Sequence, residues 1–197
     1  MNNLLKYVSI PFIYQSRILL NGKQQNTRKY ILKFFNKYKC KDVIDVGCGT
    51  GDFANLFKPE SYLGIDLSSD YVKYADKRYH HRYKFITADI DDFRFSEKKD
   101  AIILVSTLHH LSNETVKKMF KSVILLTKKI IIIVDLNPRT DFIRKLFIDH
   151  DRGKYVRTLE QKLRLLSAFG KVTHVQHFTT GSTSQTGLVL IPKIKKK

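Results

Sequence analysis

The sequence predicts an α/β protein whose strands form a doubly wound, mostly parallel sheet. Three observations support this fold class. Short β-branched runs alternate with amphipathic patterns, a glycine-rich turn follows the first run, and only the polar stretch TTGSTSQ separates the last two runs. Alternation of this kind implies parallel strands joined by right-handed helical crossovers. The short final connection predicts a hairpin, and therefore an antiparallel edge at the end of the sheet.

Seven apolar runs have the length and composition of buried strands, because β-branched residues predominate and Gly, Asp, Ser or Pro bound the runs. They lie at 42–46, 62–66, 83–88, 101–105, 129–134, 171–178 and 186–191. Helical patterns lie between them, at 70–79 and 112–127, with another at 23–38 and two more within 136–168. Ser112 is expected to begin the 112–127 helix, with Glu114 in its first turn.

The net charge of +18 lies on the two flanks of the chain. Residues 1–39 carry eight Lys/Arg and no acid, whereas residues 40–138 carry fifteen bases and fourteen acids. Residues 139–197 carry thirteen bases and four acids. The excess is either a solvated basic surface or the mark of a negatively charged partner, which would be an anionic small molecule, a nucleic acid or a membrane surface.

Cysteine usage and hydropathy indicate a cytoplasmic protein. Two cysteines, Cys40 and Cys48, make no disulfide framework, which favours a reducing compartment. No run approaches the roughly 18 apolar residues of a membrane span, and the first twenty residues lack a signal-peptide cleavage site. We therefore expect no membrane span, and the oligomeric state stays open.

The glycine-rich turn lies in the stretch VIDVGCGTGDF, with Gly47, Gly49 and Gly51 at alternate positions. Ligands of doubly wound sheets bind at the carboxyl ends of the strands, and glycine lets a ligand approach the backbone. The dinucleotide fingerprint has its third glycine one residue later, and here Asp52 follows instead. A carboxylate at that position would repel a pyrophosphate and suit an ammonium or sulfonium group. The turn therefore favours S-adenosylmethionine over NAD.

Three acids lie at the carboxyl ends of the first three predicted strands, in order. Asp45 stands just before the turn, Asp66 ends the second strand, and Asp89 follows the third. A carboxylate at the end of the second strand is the usual partner of ribose hydroxyls. Any one of these acids alone would be a turn or helix cap. Together they indicate one pocket at the carboxyl edge of the sheet.

The series DVGCGTGDF, GIDLS, ADIDDF, ILVSTLHHL and IIIVDLNP resembles the class I S-adenosylmethionine-dependent methyltransferases over roughly residues 40–138. That family has a Rossmann-like sheet of seven strands with an antiparallel last strand, which agrees with the hairpin prediction. The stretch DHDRGKYVRTLEQ resembles a segment of small, generic bacterial methyltransferases of type 11/12, which supplies no substrate. The resemblance implies a single domain, with a helical cap at 1–40, a cofactor-binding core at 41–138, and substrate-side helices and the final hairpin at 139–197.

The same resemblance implies a set of cofactor-binding residues for S-adenosyl-L-methionine. The turn would contact the methionine portion, the second acid the ribose, the third acid with its neighbour the adenine, and the loop after the fourth strand would complete the pocket floor. The implied residues are Asp45, Gly47, Cys48, Gly49, Thr50, Gly51, Asp66, Leu67, Asp89, Ile90, Ser106, Thr107 and Leu108.

The acceptor side has candidates for catalysis and for substrate binding. His109 and His110 follow the fourth strand and are candidate general bases, since imidazole titrates near neutral pH; the alternative is that one packs beneath the cofactor and the other caps a turn. An aromatic-basic set is the candidate acceptor site, with a solvated basic face as its alternative: Tyr14, Arg17, Arg152, Lys154, Tyr155 and Arg157. No metal is expected, because the consecutive residues 149–151 rarely all reach one ion.

Two functions follow from these patterns. The first is methyl transfer to an oxygen or nitrogen of a small molecule, which would be an anionic metabolite, a sugar or a lipid-linked intermediate. The second is RNA methylation with the basic flanks holding phosphates, although no RNA-binding motif is recognisable. A sequence STLHH after the fourth strand disfavours methylation of amide or adenine amino nitrogens, which uses an Asn/Asp-Pro-Pro-Tyr signature there. A third hypothesis, a fold that has lost its cofactor, is disfavoured by the intact series of acids.

Overall fold

A computed structural model describes residues 24–90, 97–138, 153–180 and 183–193 of the chain. The described helices are α1 (Gln25–Lys37), α2 (Ser69–Arg78), α3 (Asn113–Leu126) and α4 (Leu159–Leu166). The strands are β1 (Val43–Val46), β2 (Tyr62–Asp66), β3 (Lys84–Thr87), β4 (Lys99–Val105), β5 (Thr127–Leu136), β6 (Gly170–Thr180) and β7 (Thr183–Pro192). All seven strand predictions and the three helix predictions at 23–38, 70–79 and 112–127 match these elements in place and type.

The strands form one seven-stranded sheet in the order β3-β2-β1-β4-β5-β7-β6. Strands β1 to β5 pair in parallel, and β7 pairs antiparallel with both β5 and β6. The predicted fold class and the antiparallel last strand are confirmed. The hairpin β6–β7 forms this antiparallel end of the sheet, with β7 beside β5 and β6 at the edge.

The sheet is buried on both faces, as parallel sheets are. Residues 130–134 of β5 are completely buried, and their side chains alternate between two apolar clusters. Ile131 and Ile133 pack with α3 and α4, whereas Ile130 and Ile132 pack with α1. This two-sided burial leaves the strand ends as the place where polar side chains gather.

The helix starts follow local capping rules. Ser112 accepts a hydrogen bond from the Thr115 amide at the start of α3, as the sequence predicts. Thr158 makes a reciprocal capping box with Gln161 at the start of α4. This helix is one of the two expected within 136–168; the other expected helix falls outside the described residues. Among the described helices, none is long and apolar enough to cross a membrane.

Candidate functional site

The glycine turn connects β1 to the following 3₁₀ turn with three left-handed residues. Gly47, Gly49 and Gly51 have φ of 74°, 52° and 75°. A Cβ on Gly47 would lie 2.7 Å from Thr107 Oγ1, and one on Gly51 would lie 2.9 Å from the Phe85 ring. Nothing lies within 4 Å of a Cβ on Gly49. The outer glycines are therefore required by packing, while the middle one faces open space that a ligand can enter.

Asp66 lies beside this open face and is held by two backbone amides. Its Oδ2 accepts from Gly49 N at 2.8 Å and its Oδ1 accepts from Ser68 N at 2.9 Å. A carboxylate has about four acceptor positions, so two remain for the paired hydroxyls of a ribose. The next side chain, Leu67, is 67% exposed, which places apolar surface beside the carboxylate. A nucleoside fits this combination.

Asp45 lies inside β1 and is 1% exposed. The Tyr62 hydroxyl donates to its Oδ2 at 2.8 Å. Burial raises the pKa of this carboxyl to about 7; the Tyr62 hydrogen bond opposes the shift, and Asp66 and Asp52 add to it. A cationic group arriving near Asp45 would favour its ionised form.

The expectation that Asp52 faces a cationic ligand is not met by the structure. Its Oδ1 lies 2.6 Å from Nη1 of Arg78, and its Oδ2 accepts from the Thr50 hydroxyl at 3.1 Å. The charge that was expected to select the ligand is therefore already balanced by the last turn of α2. Asp52 and Arg78 are 26 residues apart in the chain, so no local sequence pattern predicts that they pair.

The side chains of the other turn residues point away from the open face. Thr50 is completely buried, and Cys48 Sγ lies where a Cβ on Gly64 of β2 would come within 2.9 Å of it. Burial strongly raises the pKa of the Cys48 thiol. Only the backbones of Cys48 and Thr50 are therefore placed for a ligand.

The third acid lies at the limit of a described segment. Asp89 is half-buried beyond β3, and Ile90 is buried in the apolar cluster beneath α3. The backbone here is joined to the second acid, because Ala88 N donates to Asp66 O at 3.0 Å. Residues 91–96 fall outside the described segments, so the role of Asp89 and Ile90 stays a prediction.

The loop after β4, residues 106–111, crosses to the glycine turn. Ser106 has a positive φ of 53°, which is uncommon for a residue other than glycine. Thr107 Oγ1 lies 3.2 Å from Val46 O, which joins the loop to β1. Leu108 is buried in the core cluster rather than turned toward the open face. Ser106 and Thr107 are therefore better placed than Leu108 for contact with a ligand.

The two histidines of this loop have different environments. His109 is completely buried, and its Nδ1 lies 2.6 Å from Oδ1 of the buried Asp135. A Cβ on Gly153 would lie 2.5 Å from His109 Cδ2, so the Gly153 backbone covers the ring. His110 is exposed and its ring centroid lies 4.1 Å from that of His109. The His109 ring is therefore engaged by Asp135 and covered by Gly153, whereas His110 is the more accessible of the two candidate bases.

Arg157 does not have the accessible guanidinium that a substrate-binding residue needs. It is 6% exposed, and its Nη atoms donate to the carbonyls of Leu108 (2.7 Å), Leu111 (2.6 Å) and Tyr155 (3.0 Å). Its Nε donates to Asn113 Oδ1 at 2.9 Å. The substrate-binding prediction for Arg157 is therefore replaced by a structural contact with the loop after β4.

The remaining acceptor-side predictions divide between described and undescribed residues. Lys154 and Tyr155 are exposed, and Tyr155 borders a cleft of about 660 Å³ between the first turns of α3 and α4. Three other predicted residues, Tyr14, Arg17 and Arg152, and the 149–151 triplet lie outside the described residues. Within the described segments, no group of three or more His, Cys, Asp or Glu residues could hold a metal ion.

Lys162 is a buried residue that the sequence reasoning missed. It is 1% exposed, and its Nζ donates to Leu136 O at 2.6 Å and to Asn137 Oδ1 at 3.1 Å. Burial lowers its pKa to about 8. The available signal was its spacing: Lys162 lies three residues after Leu159 and four before Leu166, on the apolar stripe of α4.

Comparison with known proteins agrees with this arrangement. Residues 43–129 match the family described as a methyltransferase domain. A fatty-acid O-methyltransferase of Mycolicibacterium smegmatis is 35% identical over 75 residues, which are 35% of this chain and 27% of that protein. A malonyl-[acyl-carrier protein] O-methyltransferase of Acetivibrio thermocellus is 28% identical over 116 residues, or 55% of this chain and 41% of that protein. The chain thus spans less than half the length of these curated relatives.

The fold extends the likeness to almost the whole chain. The crystal structure of an S-adenosylmethionine-dependent methyltransferase from Clostridium acetobutylicum aligns with a TM-score of 0.73 at 13% identity, over 94% of this chain and 98% of that chain. The glycine turn, the second acid and the loop after β4 all fall within the matched residues 43–129. Residues 43–129 therefore match a methyltransferase domain, and the chain has the fold of solved S-adenosylmethionine-dependent methyltransferases.

Proposed function

We propose that the chain transfers a methyl group from S-adenosylmethionine to an oxygen of a small molecule that carries a carboxylate. The proposal that the methyl donor is S-adenosylmethionine rests on the open space at Gly49, with Asp66 and the exposed Leu67 beside it. Asp66 would hold the ribose hydroxyls, Leu67 would pack against the adenine, and Asp45 with the turn backbone would hold the methionine end. S-adenosylmethionine supplies a methyl group on a sulfonium.

The choice of a carboxylate follows from the chemistry that the acceptor side offers. Carboxyl groups ionise near pH 4, so a carboxylate oxygen needs no base to become a nucleophile at neutral pH. His109, one of the two candidate bases, is buried and covered by Gly153. The acceptors in the names of two relatives, a fatty acid and a malonyl group, are also carboxylic acids.

The protein's own contribution to the rate is then orientation and exclusion of water. The donor core proposed for residues 41–138 would hold the donor, and the helical cap proposed within 1–40 and the substrate-side helices proposed within 139–197 would border the acceptor. Lys154, an exposed cation close to the loop after β4, is proposed to attract the carboxylate.

The test uses donor labelled on its methyl group and a panel of carboxylic acids: fatty acids of several chain lengths and half-thioesters of dicarboxylic acids. Label should enter a product that releases volatile methanol in alkali, since methyl esters hydrolyse there. The matched alcohols and amides should remain unlabelled. An alkali-stable labelled product would contradict the carboxylate assignment while leaving the donor assignment in place.

RNA remains the second candidate because of the charge of the flanks. Residues 1–39 carry eight Lys/Arg and no acid. Phosphate binding by several cations depends steeply on salt, since each contact releases counterions. Labelling of total RNA that falls steeply between low and physiological salt would favour this candidate over the small-molecule proposal.

A further inference from the structure

A short segment after the undescribed residues 139–152 lies directly on the loop after β4. We name residues 153–157 the strap and residues 106–111 the β4 loop. Tyr155 N donates to His109 O at 2.9 Å, and the Gly153 backbone lies against the His109 ring. The strap therefore packs against the β4 loop at His109.

Arg157 closes this contact with four hydrogen bonds. Its Nη1 donates to Leu108 O at 2.7 Å and its Nη2 donates to Leu111 O at 2.6 Å, so one guanidinium bridges the first residue of the 3₁₀ turn Leu108–His110 and the residue that follows the turn. The other two bonds reach Tyr155 O and Asn113 Oδ1. Three of the four acceptors are backbone carbonyl oxygens, and the fourth is the side-chain amide oxygen of Asn113, so the guanidinium mainly holds backbone.

A planar guanidinium suits this position better than an ammonium. Its donors diverge in a fixed fork, which matches two carbonyls that face one point from opposite ends of a turn. Hydrogen bonds from a charged donor are also stronger than neutral ones, which offsets the cost of burying the group. Lysine at the same position would reach one or two of these acceptors and leave the others unsatisfied.

The β4 loop continues from Arg157 to the proposed donor site. Leu108, whose carbonyl Arg157 holds, follows Thr107 in the chain. Thr107 Oγ1 lies 3.2 Å from Val46 O and fills the space in which a Cβ on Gly47 would stand. A displacement of the β4 loop would therefore change the packing under the glycine turn.

We propose that Arg157 is a positioning residue that joins the strap to the β4 loop and thereby sets the shape of the donor pocket. It acts without touching the donor, through Leu108 and Thr107. This inference rests on the proposed donor site. It assigns to one side chain the coupling between the acceptor-side segment and the donor-binding turn.

The test measures the affinity of the full chain for S-adenosylhomocysteine by calorimetry, in wild type, Arg157→Ala and Arg157→Lys. Arg157→Ala should bind about tenfold more weakly, and Arg157→Lys about threefold, since a lysine restores some of the bonds. Guanidinium at low, non-denaturing concentration should recover part of the affinity of Arg157→Ala and none for Arg157→Lys, whose side chain fills the space.

Arg164→Ala is the matched control, because Arg164 is exposed and borders the same cleft, and it should bind as wild type does.

Each outcome has a defined meaning. Folded Arg157 variants that bind with wild-type affinity but melt at a lower temperature would overturn the inference and leave Arg157 as a stabilising residue only. If Arg157→Ala fails to fold, the Arg157→Lys affinity decides in the same way. A wild-type chain that binds no donor would overturn the proposed function, and the inference with it.

Discussion

At the scale of single residues, Asp45 is a carboxyl group whose folded environment opposes its charge. Burial raises its pKa from the usual value near 4 to about 7. Between these two values the folded protein holds a proton that the unfolded chain has lost. The contribution of Asp45 to the stability of the wild type should therefore fall as pH rises through this window, and change little further above about pH 7.

Replacing Asp45 with asparagine should remove this pH dependence while keeping an acceptor for the Tyr62 hydroxyl. We expect Asp45→Asn to be more stable than wild type at pH 8, by roughly 4 kcal/mol at most, with a smaller gain at pH 5. Urea denaturation at the two pH values measures the difference. Glu60→Gln is the control, because Glu60 is exposed, and its stability relative to wild type should not change with pH. A constant gap for Asp45→Asn would show that the carboxyl ionises freely when folded.

Lys162 predicts the opposite trend at higher pH. Its folded pKa of about 8 is below the usual value of 10.5, so between these values the unfolded chain binds the proton more readily. Wild type should therefore gain stability relative to Lys162→Met from pH 7 to pH 10, by roughly 3 kcal/mol at most. Chemical denaturation at both pH values checks this, with the exposed Lys117→Met as control. A difference that shrinks as pH rises would contradict the burial of a titrating amine.

At the scale of elements, the glycine turn combines two requirements that substitutions can separate. A methyl group on Gly47 would collide with Thr107, whereas one on Gly49 would meet nothing within 4 Å. Both residues have positive φ, which costs an alanine about 1–2 kcal/mol. Alanine at position 47 therefore tests packing against Thr107, whereas alanine at position 49 tests whether a ligand needs the space beside the backbone.

We expect Gly47→Ala to lower the melting temperature well beyond the φ penalty, because the clash is with a side chain held against β1. Gly49→Ala should melt only slightly below wild type and yet lose most of its affinity for S-adenosylhomocysteine. Thermal unfolding and calorimetry on both variants make the comparison. Wild-type donor affinity in Gly49→Ala would mean that the donor lies elsewhere.

The final hairpin shows how an element reaches its place. The run at 186–191 and the short connection before it predict a strand antiparallel to its neighbour, and β7 is one. The chain after α4 forms β6 one strand position away from β5. β7 then occupies the position between β5 and β6 and pairs with both. Strand type is a local property, whereas strand order depends on where a crossover lands.

At the scale of the whole molecule, donor binding should stabilise the entire chain, because it adds free energy to the folded state alone. At a hundredfold excess over Kd, S-adenosylhomocysteine should raise the melting temperature by roughly 5–10 °C. Asp66→Ala loses hydrogen bonds worth about 1–3 kcal/mol, so its shift at the same concentration should fall by about a third or more. Asp70→Ala, in the first turn of α2, is the control. An equal shift in Asp66→Ala and wild type would remove the ribose assignment.

The sequence by itself determined the fold class, the seven strands, the glycine turn and the order of acids near the carboxyl ends of the first three strands. These depend on periodicity and on short-range spacing, which a single chain displays directly. The tertiary structure alone decided which polar groups are available to a ligand. Asp52 is engaged by Arg78, His109 by Asp135, and Arg157 by the carbonyls of the β4 loop, across separations of 26 to 49 residues. The sequence does not show whether a charged side chain is solvated or paired, because its partner is distant in the chain. Only tertiary packing brings the two groups within hydrogen-bond distance.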